Sequence, residues 1–167
     1  MITVDYCRTM AAYNRWQNDG QRRIVTAMTS EALTLDRGAF FGSIVGTLNH
    51  LLWGDTLWMS RFDGGQGTDI TIPHSVALTG DVNIWDAKRA QMDDRISTWA
   101  RALQPADLEG DLHWYSGSMQ RDFAKPVAIC VMHFFHHQTH HRGQIHAMLT
   151  AAGEKPGDTD LPFLPQN

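Results

Sequence analysis

The sequence predicts an all-α protein, a four-helix bundle with a long crossover connection. Three observations lead there. Apolar residues recur at helical spacing over four long stretches. Gly and Pro mark the breaks between those stretches. Six of the nine histidines fall inside the last stretch, between His133 and His146. The 167 residues suit one domain, 1–167, and are enough to bury a proper core.

The first helix is expected from about Val4 to Met28, with Met10, Tyr13, Trp16 and Ile24 among its apolar contacts. Gly20 weakens it without ending it. A polar link through Ser30 and Asp36 follows. The second helix runs from about Ser43 to Phe62 and stops at Gly64-Gly65. It is apolar around much of its circumference (Ile44, Leu48, Leu51, Leu52, Trp53, Leu57, Trp58, Met59), which marks it as buried. Residues 64–80 hold four glycines and read as a loop long enough to cross the bundle.

Asp81 suits the N-cap of a third helix, Val82 to Leu103. Its charge run of Asp86, Lys88, Arg89, Asp93, Asp94 and Arg95 reads as a solvated face, and Pro105 helps end it. Residues 106–125, with Leu112-His113-Trp114-Tyr115 and then Met119 to Phe123, read as a short irregular hairpin. Pro126 fits the first turn of a fourth helix that runs to about Ala152, with Gly153 as its cap and Pro156 beyond. The tail, Asp160 to Asn167, is expected to dock as extended chain.

Composition narrows the function. Lys and Arg total 14 against 18 Asp and Glu, a net charge of −4, whereas a nucleic-acid binder wants a basic face. Two distant cysteines, Cys7 and Cys130, fit a reduced, cytoplasmic protein. The opening MITVDYCRTM lacks the pattern of a signal peptide, and no apolar run is long enough to span a bilayer. The expectation is therefore a protein without nucleic-acid or membrane partners.

The histidines carry the chemistry. On a helical wheel with His133 at zero, His137 falls at roughly 40° and His141 at roughly 80°, bordering an apolar stripe near roughly 130°. His136, His140 and His146 point toward the rims. His137 and His141, spaced i and i+4, stack on one side and can chelate one ion, with His133 as a fallback ligand. A third ligand must come from another helix. His50 is the best candidate, on a narrow polar strip of the second helix beside Ser43, Thr47 and Gly54, whose small side chains leave room. The expected cofactor is one divalent transition metal, zinc or nickel, held by His50, His137 and His141.

Asp55 lies near the centre of an apolar stripe, where a carboxylate needs a partner. A ligating imidazole or Arg142 is the expected one. Gln144 shares the ligand face and can orient an imidazole. Gly143, costly inside a helix, implies close packing of a neighbour. His113, Trp114 and Tyr115 are placed to line a pocket mouth. Cys130 is the candidate for a metal-free nucleophile, against its simpler role as a small core residue. No residue is assigned a catalytic role.

The segments "YNRWQN", "SIVGTLNHLLWGDTLWMSRF" and "HFFHHQTHHRGQIHAMLTAAG" resemble the DinB/YfiT family of small bacterial helical proteins, in the right order over nearly the whole chain. "HHQTHHRGQ" is the most specific part. The resemblance implies a four-helix bundle, often a homodimer, with a three-His site that falls on His50, His137 and His141. It also implies, from some relatives, a metal-dependent thiol transferase or isomerase that uses a low-molecular-weight thiol. The leading expectation is a metal-dependent enzyme, of thiol-transferase or hydrolase type, acting on a small molecule. The alternative is a metal-binding or dimeric structural or stress-response protein without chemistry.

Overall fold

The structure, a computed structural model, describes residues 1–165. Local chemistry sets the helix ends. Thr3 accepts the Tyr6 N–H and starts helix α1, Val4–Val25. A short helix α2, Ser30–Thr34, follows a Thr29 cap. Helix α3, Ile44–Asp63, begins at Ser43, whose hydroxyl accepts the Gly46 N–H, and ends at Gly64 with φ 68°, a left-handed cap. Asp81 caps helix α4, Val82–Ala102, by accepting from the Asn83 and Ile84 N–H groups. Strands β1, Asp111–Ser116, and β2, Arg121–Pro126, pair antiparallel, and β2 runs directly into helix α5, Val127–Ala151.

The molecule is mostly helical with one small two-stranded sheet. The first helix stops three residues short of Met28, and the expected polar link contains α2 instead. The hairpin is regular, paired from Asp111↔Pro126 to Ser116↔Arg121. The expected extended tail from Asp160 instead turns into a short 3-10 helix, Leu161–Phe163, and the hydrogen bonds to α1 come from the residues just before it. Tyr13 donates to the Thr159 carbonyl at 2.6 Å and Gln17 to the Asp158 carbonyl at 2.9 Å, while Leu161 and Phe163 stay exposed. Gln166 and Asn167 lie outside the described residues.

Helix α1 packs on α4 and α5, and α3 packs on the same two helices. Helices α3 and α4 run parallel, since Trp85 meets Leu48, Arg89 meets Asp55 and Arg95 meets Asp63, and the link 64–81 returns along the length of α3 to join them. The links 26–43 and 103–126 join helices that pack little on each other, α1 with α3 and α4 with α5. The apolar core between the helices includes Ile44, Leu48, Met59, Trp85, Ile96, Phe134, Phe135, Ile145 and Leu149.

A buried polar network runs through that core. Arg89 of α4 is 1 % exposed and contacts Asp55 of α3 at 2.6 Å and Asp93 at 2.9 Å. Asp93 also accepts from Asn18 of α1 at 2.8 Å, and Asp55 from Gln138 of α5 at 3.0 Å. Two expectations are corrected here. Asp55 pairs with Arg89 rather than with Arg142 or a ligating imidazole. The α4 charge run is not wholly solvated, because Arg89 and Asp93, four residues apart, turn inward. Asp86, Asp94 and Arg95 do pair nearer the surface, with Arg22, Arg15 and Asp63.

Removing one partner of a buried pair strands the other charge. Asp55→Ala should lower the unfolding free energy by roughly 3–5 kcal/mol, read from urea denaturation. A loss below about 1 kcal/mol, as for a surface pair, would show that the network does not stabilise the fold.

Candidate metal centre

Helix α3 presents His50, and α5 presents His137 and His141 on one face. Each offers one ring nitrogen, and the three nitrogens lie within 4.8 Å of one another. His50 Nε2 and His137 Nε2 are 3.3 Å apart. The ring centroids of His137 and His141 are 4.4 Å apart, and those of His50 and His141 are 4.9 Å apart. The wheel's choice of faces agrees with this. His136 and His140 are exposed, and His133 leans on Trp58 with its ring 5.7 Å from that of His137, outside the three-nitrogen group.

Hydrogen bonds decide which nitrogens are bare. The Ser75 hydroxyl donates to the Ile72 carbonyl at 2.7 Å, so it must accept at 2.9 Å from His50 Nδ1–H. His141 Nδ1 lies 2.7 Å from Gln144 Oε1, an acceptor, so that nitrogen also carries the proton. His50 and His141 thus both keep a bare Nε2 lone pair. Fixing a ring through its other nitrogen is how metal-binding histidines are oriented. His137 lacks such a partner, since its Nδ1 is buried without a hydrogen bond. Without an ion, His137 must protonate Nε2 and donate to His50 to avoid facing one lone pair with another. A cation among the three nitrogens removes that conflict, so the residues present fit a divalent ion.

The site favours neutral rings. Burial first, and then repulsion by His141, hold the His50 imidazole down at about 4. Burial, and then the neighbouring imidazoles led by His141, hold His137 at about 3. Burial also lowers His141, against the opposing bond to Gln144. All three are therefore ready ligands at neutral pH. No carboxylate belongs to the group, and Asp55 is occupied by Arg89 and Gln138.

Packing positions the rings. Phe41 stacks on His50 with centroids 3.8 Å apart and lies 5.4 Å from His141. Its loop approaches α3 closely because Gly46 has no side chain; a Cβ there would come within 2.6 Å of the Phe41 carbonyl oxygen. His50 also stacks against Trp53, with centroids 5.4 Å apart, and the Trp53 Nε1–H donates to the Ile70 carbonyl at 2.7 Å. Gly54 makes space, but for the His137 ring rather than for a substrate. A Cβ on Gly54 would lie 2.8 Å from His137 Cε1. In the hairpin, Trp114 packs edge-on against Trp58, and Arg61 lies over both rings. Sequence reasoning missed Ser75 and Phe41, since neither has a fixed spacing from a ligand. Gln144, three residues after His141, was within reach of helical spacing.

The two thiols do not join the site. Both are buried and free, burial pushes Cys7 up to about 11, and burial raises Cys130 as well. Burial thus disfavours the thiolate at both positions, in keeping with small core residues.

Gly54→Ala tests the packing. The added methyl must displace the His137 ring, so retention of a divalent ion against a chelator should fall at least about tenfold, with helical circular dichroism unchanged. Unaltered retention would show that His137 need not sit where it does.

Among the described residues, no helix is long and apolar enough to cross a membrane. Comparison with curated proteins finds no match. The family model described as the DinB family matches residues 1–167, the whole chain, and the protein therefore belongs to the DinB family.

Proposed function

We propose that this chain is a single four-helix-bundle domain, 1–167, that holds one divalent transition metal, zinc or nickel, through His50, His137 and His141. We infer that it is a metal-dependent enzyme of thiol-transferase or hydrolase type acting on a small electrophile. One observation carries the reading: His50 and His141 present bare Nε2 atoms beside His137, with their Nδ1 protons held by Ser75 and Gln144. Three neutral imidazoles are the ligand count of an open, catalytic site, whereas structural zinc sites are closed by four.

A divalent ion held there supplies Lewis acidity undiminished by ligand charge. The remaining work falls to the chain. Ser75 and Gln144 hold two rings in orientation. Phe41 and Trp53 flank His50 with apolar surface that keeps water from it. Arg89 and Gln138 hold Asp55 away from the donor set. Cys7 and Cys130 are buried, and burial raises both thiols, which favours a sulfur nucleophile supplied by a low-molecular-weight thiol over a cysteine mechanism. The proposal extends to a cytoplasmic homodimer without a nucleic-acid partner, in keeping with the net charge of −4.

Elemental analysis of protein purified without a metal-affinity tag should give one ion per chain. His50→Ala, His137→Ala and His141→Ala should each abolish tight binding, while His136→Ala and His140→Ala keep it. Equal loss in the two exposed variants would assign the site to the wrong face.

Chemistry is read on cobalt-substituted protein. Titration with one of a panel of small thiols should change the visible spectrum, and the same thiol should support turnover of a model electrophile that His141→Ala loses. Turnover without thiol assigns hydrolysis. A spectrum indifferent to every thiol, with no turnover, leaves a metal-binding protein without chemistry.

A further inference from the structure

Helix α5 carries a second buried cation that the metal site does not use. Arg142 is 5 % exposed, yet among the described residues no carboxylate lies within 4.0 Å of its guanidinium. Its hydrogen bonds go to neutral groups, the Asn14 side-chain carbonyl and the Thr139 hydroxyl, the latter at a long 3.4 Å. Arg89, equally buried, has two carboxylates. Burying a guanidinium without an opposite charge is costly, and proteins normally avoid it.

Arg142 lies in the wall of a cleft of about 340 Å³ between α1, α5 and the docked segment at Thr159. Tyr13, Gln17, Gln21, Gly143 and His146 share that wall, and none of the lining residues is acidic. Asn14, which touches the guanidinium, is 1 % exposed and has a side-chain Nδ2 donor without a partner. The cleft thus carries a buried positive charge in its wall and no acidic residue in its lining.

Gly143 points the same way. Its place inside α5 costs about 1 kcal/mol relative to Ala, and close packing of a neighbour was the expected reason. Within this chain nothing packs there: Gly143 is exposed, and a Cβ on it would meet nothing within 4 Å. What the missing side chain leaves open is the cleft.

We propose that this cleft is a binding site for a small oxyanion, a carboxylate or a phosphate, with Arg142 as its counter-charge. A carboxylate or phosphate suits the planar guanidinium, which pairs with two oxygens at once. The cavity limits the ligand to a small molecule or a short end group. The site is separate from the three-His group and does not depend on the metal.

The test follows thermal unfolding and isothermal titration with inorganic phosphate and with malonate, at ionic strength held constant with chloride. Wild-type protein should show saturable binding and a rise in Tm with at least one of them. Response to phosphate alone assigns a phosphate ligand, and response to malonate alone assigns a carboxylate. His50→Ala, which removes a metal ligand, should keep the response, separating the cleft from anion binding at an ion. Gly143→Leu fills the cleft without a backbone clash and improves helix propensity, so it should fold at least as stably as wild type and bind at least about tenfold more weakly. Arg142→Gln should lose binding. The proposal is overturned if neither anion binds better than chloride, if Gly143→Leu binds as well as wild type, or if His50→Ala abolishes the response.

Discussion

The contact on which the rest of the molecule depends is the buried pair of Asp55 and Arg89. Through it, all four long helices meet in one polar network: Asp55 on α3, Arg89 and Asp93 on α4, Asn18 on α1 and Gln138 on α5. Apolar packing tolerates small rotations of a helix, but a buried charge does not tolerate losing its partner. Gln138 must therefore face Asp55. Since Gln138 lies between His137 and His141 in sequence, that demand also sets the rotation of α5 that turns both imidazoles toward His50.

A second constraint is shape. Glycine appears on α3 where another group needs the room: Gly46 under the Phe41 backbone and Gly54 under the His137 ring. The three-His group is thus defined from two sides, by charge on the interior and by close approach at the helix surface. Carboxylates are kept out of the donor set because the core already occupies them. The donor group is purely imidazole.

Much of this was legible in the sequence. Periodicity and caps placed the long helices to within a few residues, because Asp81, Ser43, Gly64 and Pro126 act locally. The wheel separated His137 and His141 from His136 and His140, because 100° per residue is a property of the helix alone. The partner of Asp55 was not legible. Arg89 sits in a run of alternating charges, and nothing in the run says which side turns inward until α1 and α3 have closed over it. Ser75 was hidden for a similar reason, since its bond to His50 spans 25 residues through a link without periodicity.

The spacing of the three histidines has a consequence for the life of the chain. His137 and His141 are neighbours on one turn and can gather an ion in any chain where that turn is formed. His50 is 87 residues away from His137, and bringing it in without the fold would require closing a loop of that length. The preference of an ion for native over unfolded protein therefore resides mainly in His50. By mass action, an ion held by the three histidines would convert metal supply into folded fraction. Scarcity of the ion would then act as a quality-control signal, shortening the time each molecule survives among proteases as well as leaving its centre idle.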